Sequence, residues 1–331
     1  MKPKSIKSLL ALALLAPGAL FAQTTAKTTP VGYETVSIAS GFNYIGLRLH
    51  NPALVAGTLE VVTSSAVTDS NVNIQSSVVA GKTYILEVET AGSTGAVAEV
   101  LGSDIAQGVI TTSNNLVAVG AAAGNSYILR ESATLNSIFG ATNSAGLAPG
   151  FSGPTGADVL YVPDGSGNFG QYFYDEDNAT WTDAISNTAV DGANIPLVYL
   201  DGIVVFANGA VNLTVSGEVK KTNVIQLVAP GFNYLSSVFP TGSTLATAYN
   251  GSLSTIHPGF SGPTDADVVY VPGTSGLASY FYDEDNATWT DAVSNTAVDA
   301  SSINLPSGII YFNAGAGINL KNSAPTFYST L

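Results

Sequence analysis

Two stretches of this 331-residue chain occur twice. Residues 150–163, GFSGPTGADVLYVP, return as 259–272, GFSGPTDADVVYVP, with two differences. Residues 172–191, YFYDEDNATWTDAISNTAVD, return as 280–299 with Val293 in place of Ile185 as the only change. The offsets are 109 and 108 residues. That is a domain-sized period, well beyond the roughly 20 to 50 residues of a solenoid. Any fold must therefore provide the same local environment twice, and two similar domains or half-domains in tandem are expected.

A weaker echo extends toward the start. Residues 34–46, ETVSIASGFNYIG, resemble 222–234, TNVIQLVAPGFNY, both alternating runs that enter a Gly-Phe-Asn turn. The segment from Ser126 to Phe139 precedes the first repeated block as Tyr234 to Thr247 precedes the second. The chain after the leader divides accordingly into a front β module at 28–123, repeat A at 124–221 and repeat B at 222–331.

Short runs rich in Val, Ile, Thr and aromatics, such as Gly57 to Val62, Thr83 to Glu89, Gly108 to Thr112, Leu116 to Val119, Asp158 to Val162, Ile203 to Phe206, Val211 to Val215 and Ile309 to Phe312, read as strands punctuated by turns. Crossover helices have no room between them. The fold class is therefore all-β, as tandem antiparallel sandwich or barrel-like modules with an internal duplication.

Lys2, Lys4 and Lys7 precede an apolar run from Leu9 to Leu15 and a small-residue end at Ala22. This is the pattern of a secretory signal peptide over 1–22. It places the protein outside the cell, at the cell surface or in the periplasm. From position 23 on, seven basic residues face 24 acidic ones, a net charge of −17. So few cations cannot neutralise many phosphates, and nucleic acid is excluded as a partner. The absence of cysteine excludes disulfides and thiol chemistry. No later segment reaches the roughly 18 apolar residues of a membrane helix, so no transmembrane span is expected.

The opening VGYETVSI strand, the Leu-His-Asn-Pro-Ala step at Leu49 to Ala53, an aromatic hairpin ending in Trp, and the Gly-Ile-Val-Val-Phe and LTVSGEV strand pair follow one another along the chain. In this order the sequence resembles an uncharacterised family of exported β-rich bacterial proteins with many paralogues in verrucomicrobial-type genomes. The hairpin departs from that family's short Asn-Gly turn, carrying Asp-Glu-Asp-Asn instead. The resemblance implies export and β architecture and brings no catalytic residue.

The repeated hairpins carry the candidate binding groups. Pairing across Tyr172 to Asp183 puts Tyr172, Tyr174 and Trp181 on one face and Phe173 with Thr180 on the other. The copy does the same for Tyr280, Tyr282 and Trp289. Such a face either stacks on sugar rings, bivalently across the two copies, or fills the core of a sandwich. The hairpins also hold eight of the 24 acids. Asp175, Asp177, Asp183, Asp283, Asp285 and Asp291 are closely spaced hard oxygen donors suited to calcium, the one candidate cofactor. They lack the twelve-residue loop of an EF-hand and equally suit solvated turns.

Catalytic signatures are sparse. His50 and His257 are isolated turn residues without a second His at metal-ligand spacing. Ser152 and its copy Ser261 lack the second Gly of a nucleophile elbow. Asp183 and Asp291 recur as a possible acid pair for a hydrolase, outside the Asp-Thr-Gly context of aspartic proteases. The leading expectation is a non-enzymatic exported β protein acting as a structural or adhesive module, with self-association or surface glycans as partners. The alternatives are a carbohydrate-binding module using the two hairpins and, behind it, an acid-based hydrolase.

Overall fold

The computed structural model describes residues 29–89, 95–274 and 276–330. The expected signal peptide, 1–22, lies outside the described residues. The protein is all-β, built from several antiparallel sheets, in agreement with the sequence reading.

Each repeat packs a large sheet against a small one. In repeat A a six-stranded sheet runs in the order Thr188–Ala189, Thr180–Asp183, Phe169–Asp175, Val159–Pro163, Gly202–Ala207, Gly41–Gly46. It faces a smaller sheet formed by Val31–Ile38, Val211–Val219 and Leu49–His50. Ile45, Leu160, Val205 and Trp181 of the large sheet share one buried cluster with Ile38 and Leu213 of the small one. Repeat B reproduces the arrangement. Gly231–Ser236, Gly308–Asn313, Val268–Gly273, Gly276–Asp283 and Thr288–Asp291 form the large sheet, and Val224–Val228 with Ile318–Asn322 the small one. One-turn helices, Leu135–Phe139 and Leu245–Tyr249, plug the equivalent ends of the two cores. Each is nucleated by a reciprocal cap, Thr134 with Ser137 and Thr244 with Thr247, which satisfies backbone donors that so short a helix cannot.

The borders of repeat A differ from the sequence division. Val31–Ile38 pairs with Val211–Val219, and Gly41–Gly46 with Gly202–Ala207, so the first two strands belong to repeat A and not to the front module. Ala39–Gly46 and Ala229–Ser236 are offset by 190, whereas Thr134 and Thr244 are offset by 110. The difference of 80 is the length of 53–132. The front module is thus an insertion in repeat A. Strand pairing joins residues remote in the chain, so an insertion leaves the ladder intact while hiding the repeat in the sequence.

The inserted module has its own core, with Leu59, Tyr84, Leu86, Ile110 and Leu129 among its buried side chains. Its main sheet orders Ala53–Thr58, Ser126–Glu131, Thr83–Glu89 and Val97–Leu101. Leu116–Val119, expected as a strand, is a 3-10 turn. The Asn115 side chain accepts the Ala118 N–H, and Gly120, at φ 91°, closes the turn.

The two repeats meet where the edge strands Gly41–Gly46 and Gly231–Ser236 cross. A Cβ on Gly46 would lie 2.2 Å from the Ser307 carbonyl oxygen, and one on Gly308 2.6 Å from the Ile45 nitrogen. Only glycine permits this approach. The rings of Tyr44 and Tyr234, equivalent residues of the two repeats, stack at 6.1 Å and 14°.

Candidate functional site

The hairpin register is the expected one: Tyr174 stands opposite Trp181 and Tyr282 opposite Trp289. That face is the inner one. Trp181 is 2% exposed, Trp289 4% and Tyr174 5%, while Tyr172, Tyr280 and Tyr282 are half-buried and packed against the same cores. Tyr174 and Trp181 meet edge-on at 5.5 Å, as do Tyr282 and Trp289 at 5.9 Å. Each indole N–H has an internal acceptor, the Gly140 carbonyl for Trp181 and Asn250 Oδ1 for Trp289, both at 2.9 Å. These rings therefore form core and not a sugar-stacking platform, because the small sheet and the one-turn helix cover the face that the pattern left open.

The six candidate calcium ligands are all engaged in hydrogen bonds, four within their own turns and Asp177 and Asp285 with a neighbouring loop. Asp175 accepts from Asp177 N–H, Asn178 N–H and Asn178 Nδ2, and Asp283 from the Asn286 backbone and side chain. Asp177 and Asp285 accept the hydroxyls of Ser152 and Ser261. Ser152 and Ser261 are left-handed turn residues, at φ 57° and 59°. Asp183 accepts from Ile185 N–H, Ser186 N–H and the Ser186 hydroxyl, and Asp291 repeats this with Val293 and Ser294. Among the described residues no three His, Asp or Glu side chains converge as a metal site. Hydrogen bonds from Ser186 and Ser294 lower the Asp183 and Asp291 carboxyl pKa values. This is the wrong direction for a general acid.

What the sheets do present to solvent lies on their other face. In repeat A, Phe42 is 63% exposed and packs against Phe206 at 5.1 Å and Tyr161 at 6.4 Å. In repeat B, Phe232 is 62% exposed and packs against Phe312 at 4.9 Å and Tyr270 at 6.1 Å. The same three-strand aromatic cluster thus occurs twice. Beside the second copy lies a groove of about 440 Å³ lined by Ala266, Val268, Tyr270, Ser279 and Phe312. The signal was present in the sequence as the i, i+2 spacing of Phe42 with Tyr44 and of Phe232 with Tyr234. Strand alternation alone does not say which face is covered.

A larger cleft, about 700 Å³, opens between the repeats. Its walls include Glu34, Phe42, Tyr44 and Arg48 from repeat A and Pro272 and Leu277 from repeat B. Arg48 Nε donates to Glu34 Oε2 at 3.0 Å.

A buried ionic cluster, which sequence spacing does not reveal, joins the insertion to repeat A. Glu87 of the insertion accepts from Lys220 at 2.6 Å and from Arg130 at 2.9 Å, and Arg130 also reaches Glu218 at 3.1 Å. Burial alone would raise the Glu87 pKa, but Lys220 and Arg130, with His50, hold its carboxyl down to about 2. His50, stacked on Tyr199 at 3.9 Å, is pushed by burial to about 3, with both ring nitrogens lacking a partner. This cluster locks two modules together.

No family model, curated protein or solved structure matches the chain.

Proposed function

We propose that this chain is an exported, non-catalytic β protein that works by contact, as a structural or adhesive module at the cell surface or outside the cell. The observation that carries the reading is a duplicated aromatic cluster whose exposed member is Phe42 in repeat A and Phe232 in repeat B, resting on the half-buried rings of Phe206 with Tyr161 and of Phe312 with Tyr270. Contiguous exposed apolar surface costs solubility, and it is retained where it meets a partner. Two equivalent patches on one chain multiply avidity without any new type of contact. Among the described residues, the outer strand Val31–Ile38 leaves one ladder edge unpaired with Tyr33 exposed, a site for strand pairing. Export is supported by the leader-like residues 1–22.

Self-association of the chain from residue 23 on tests the reading by sedimentation velocity over a range of concentrations. Wild type is expected to form concentration-dependent assemblies that the double substitution Phe42→Ser, Phe232→Ser disperses while the circular dichroism spectrum is kept. A chain that stays monomeric at the highest concentration, or assemblies indifferent to both substitutions, would contradict self-association.

A further inference from the structure

We propose that the groove on the outer face of repeat B is the docking site for an arginine-bearing segment of another polypeptide. The groove encloses about 440 Å³ against Val268, Tyr270 and Phe312, with Asp265 also on its wall. The copy in repeat A carries larger side chains at two of its positions. Gln171 stands opposite Tyr161 there, where Ser279 stands opposite Tyr270 in repeat B. Asn208, whose side chain donates to the Gly156 carbonyl and to Asp158, both at 3.0 Å, corresponds to Ala314. Two long polar side chains are thus cut back where the groove lies. The insertion does not account for this difference. It packs on the small-sheet strand Val224–Val228 of repeat B, where Ile225 N–H donates to the Gly95 carbonyl, and no residue of that strand lines the groove.

The groove also gains a charge. Asp265 occupies the position of Gly156, at the repeat offset of 109. Both have left-handed backbones, at φ 60° and 79°. Glycine adopts that conformation freely, and even aspartate, which tolerates it, does so at some cost. The turn therefore does not need the carboxylate. Asp265 is exposed, and among the described residues its side chain has no hydrogen-bond or ion-pair partner. Asp177, Asp183, Asp285 and Asp291 differ in accepting donors of nearby loops. A carboxylate beside two aromatic rings and an apolar wall suits a guanidinium, which bonds a carboxylate through two N–H groups, stacks on rings and lays its methylene stem on apolar surface. The net charge of −17 from position 23 on draws a cation toward the chain. A second copy does not supply that cation, because the chain's two arginines, Arg48 and Arg130, are held by Glu34 and by Glu87 with Glu218. The occupant is therefore a different polypeptide, whose residues beside the arginine meet the exposed Phe232 packed on Tyr270 and Phe312. The proposal rests on the contact reading above for the patch of repeat B and adds a partner other than the chain itself.

The test is fluorescence anisotropy with a labelled peptide, Gly-Val-Arg-Val-Gly, and its neutral counterpart, Gly-Val-Gln-Val-Gly, titrated with the chain from residue 23 on. Wild type is expected to bind the arginine peptide about tenfold more tightly than the glutamine peptide, with a preference that added salt reduces. Asp265→Gly installs the repeat A residue on a backbone that suits it, and is expected to weaken binding of the arginine peptide about tenfold. Ser279→Gln restores the longer repeat A side chain and is expected to weaken binding too. Glu176→Gln removes one exposed charge from repeat A and should leave binding unchanged. The proposal is overturned if wild type does not distinguish the two peptides, if Asp265→Gly or a folded Ser279→Gln binds as wild type does, or if Glu176→Gln weakens binding as much as Asp265→Gly. Should Ser279→Gln not fold, Asp265→Gly decides. Sedimentation velocity keeps this proposal apart from the reading it rests on. Asp265→Gly should self-associate as wild type does, and a wild type that stays monomeric yet distinguishes the peptides would remove self-association and leave the groove.

Discussion

Tyr174 and Trp181 illustrate what a residue pattern conveys. Alternation across the hairpin puts them on one face, and the observed register does so. Whether that face is wet depends on Leu135–Phe139 and the small sheet, whose positions no local pattern encodes. Each tryptophan is a core side chain with a satisfied indole N–H. Truncation leaves a cavity and an unpaired acceptor, so Trp181→Ala and Trp289→Ala are each expected to cost about 3–5 kcal/mol, read as a shift in chemical denaturation midpoint. An exposed ring would lose almost nothing. The acidic residues behave similarly: Asp183 and Asp291 are legible as turn formers from Asp-Ala-x-Ser, and their oxygens accept the donors of that turn.

At the scale of elements, the strand runs were legible because β-branched and aromatic residues alternate over a buried side, as in Val211–Val219, or form a short continuous buried run, as in Thr83–Glu89. Their partners were not. The first strands pair with residues almost two hundred positions away, across an inserted module. That module encloses its own hydrophobic cluster and both its ends lie at residues 53 and 132. Expressed alone, 53–132 is expected to give a β-type far-ultraviolet spectrum and a single cooperative thermal transition. A broad, non-cooperative melt would show that repeat A completes its fold. The core of the module is small for independent stability, so a melting temperature below that of the whole chain is expected.

At the scale of the whole molecule, buried charges make stability depend on pH in two opposite ways. His50 titrates near 6.5 when unfolded and near 3 when folded. The unfolded chain therefore takes up its proton first, and this stability, complete above 6.5, is lost as pH falls toward 3. Glu87 acts in the same sense, its contribution present above 4.5 and lost toward 2. Asp201 behaves oppositely. Burial, reinforced by Glu99, pushes its carboxyl up to about 7, from 3.8, so its contribution is complete below 3.8 and lost as pH rises through 7. Asp201→Asn is thus expected to raise the melting temperature at pH 8 and to leave it nearly unchanged at pH 4, by differential scanning calorimetry. An equal shift at both values would remove desolvation of this carboxylate as the cause. The sequence alone determined the all-β class and the duplication, because periodicity and near-identity are properties of the chain. Only the tertiary structure decided that the front module interrupts repeat A, that the tryptophans are core, and that Phe42 and Phe232 face water. Burial and charge pairing depend on which distant segments come together, as where Val97 and Glu87 of the insertion meet Val224 and Lys220.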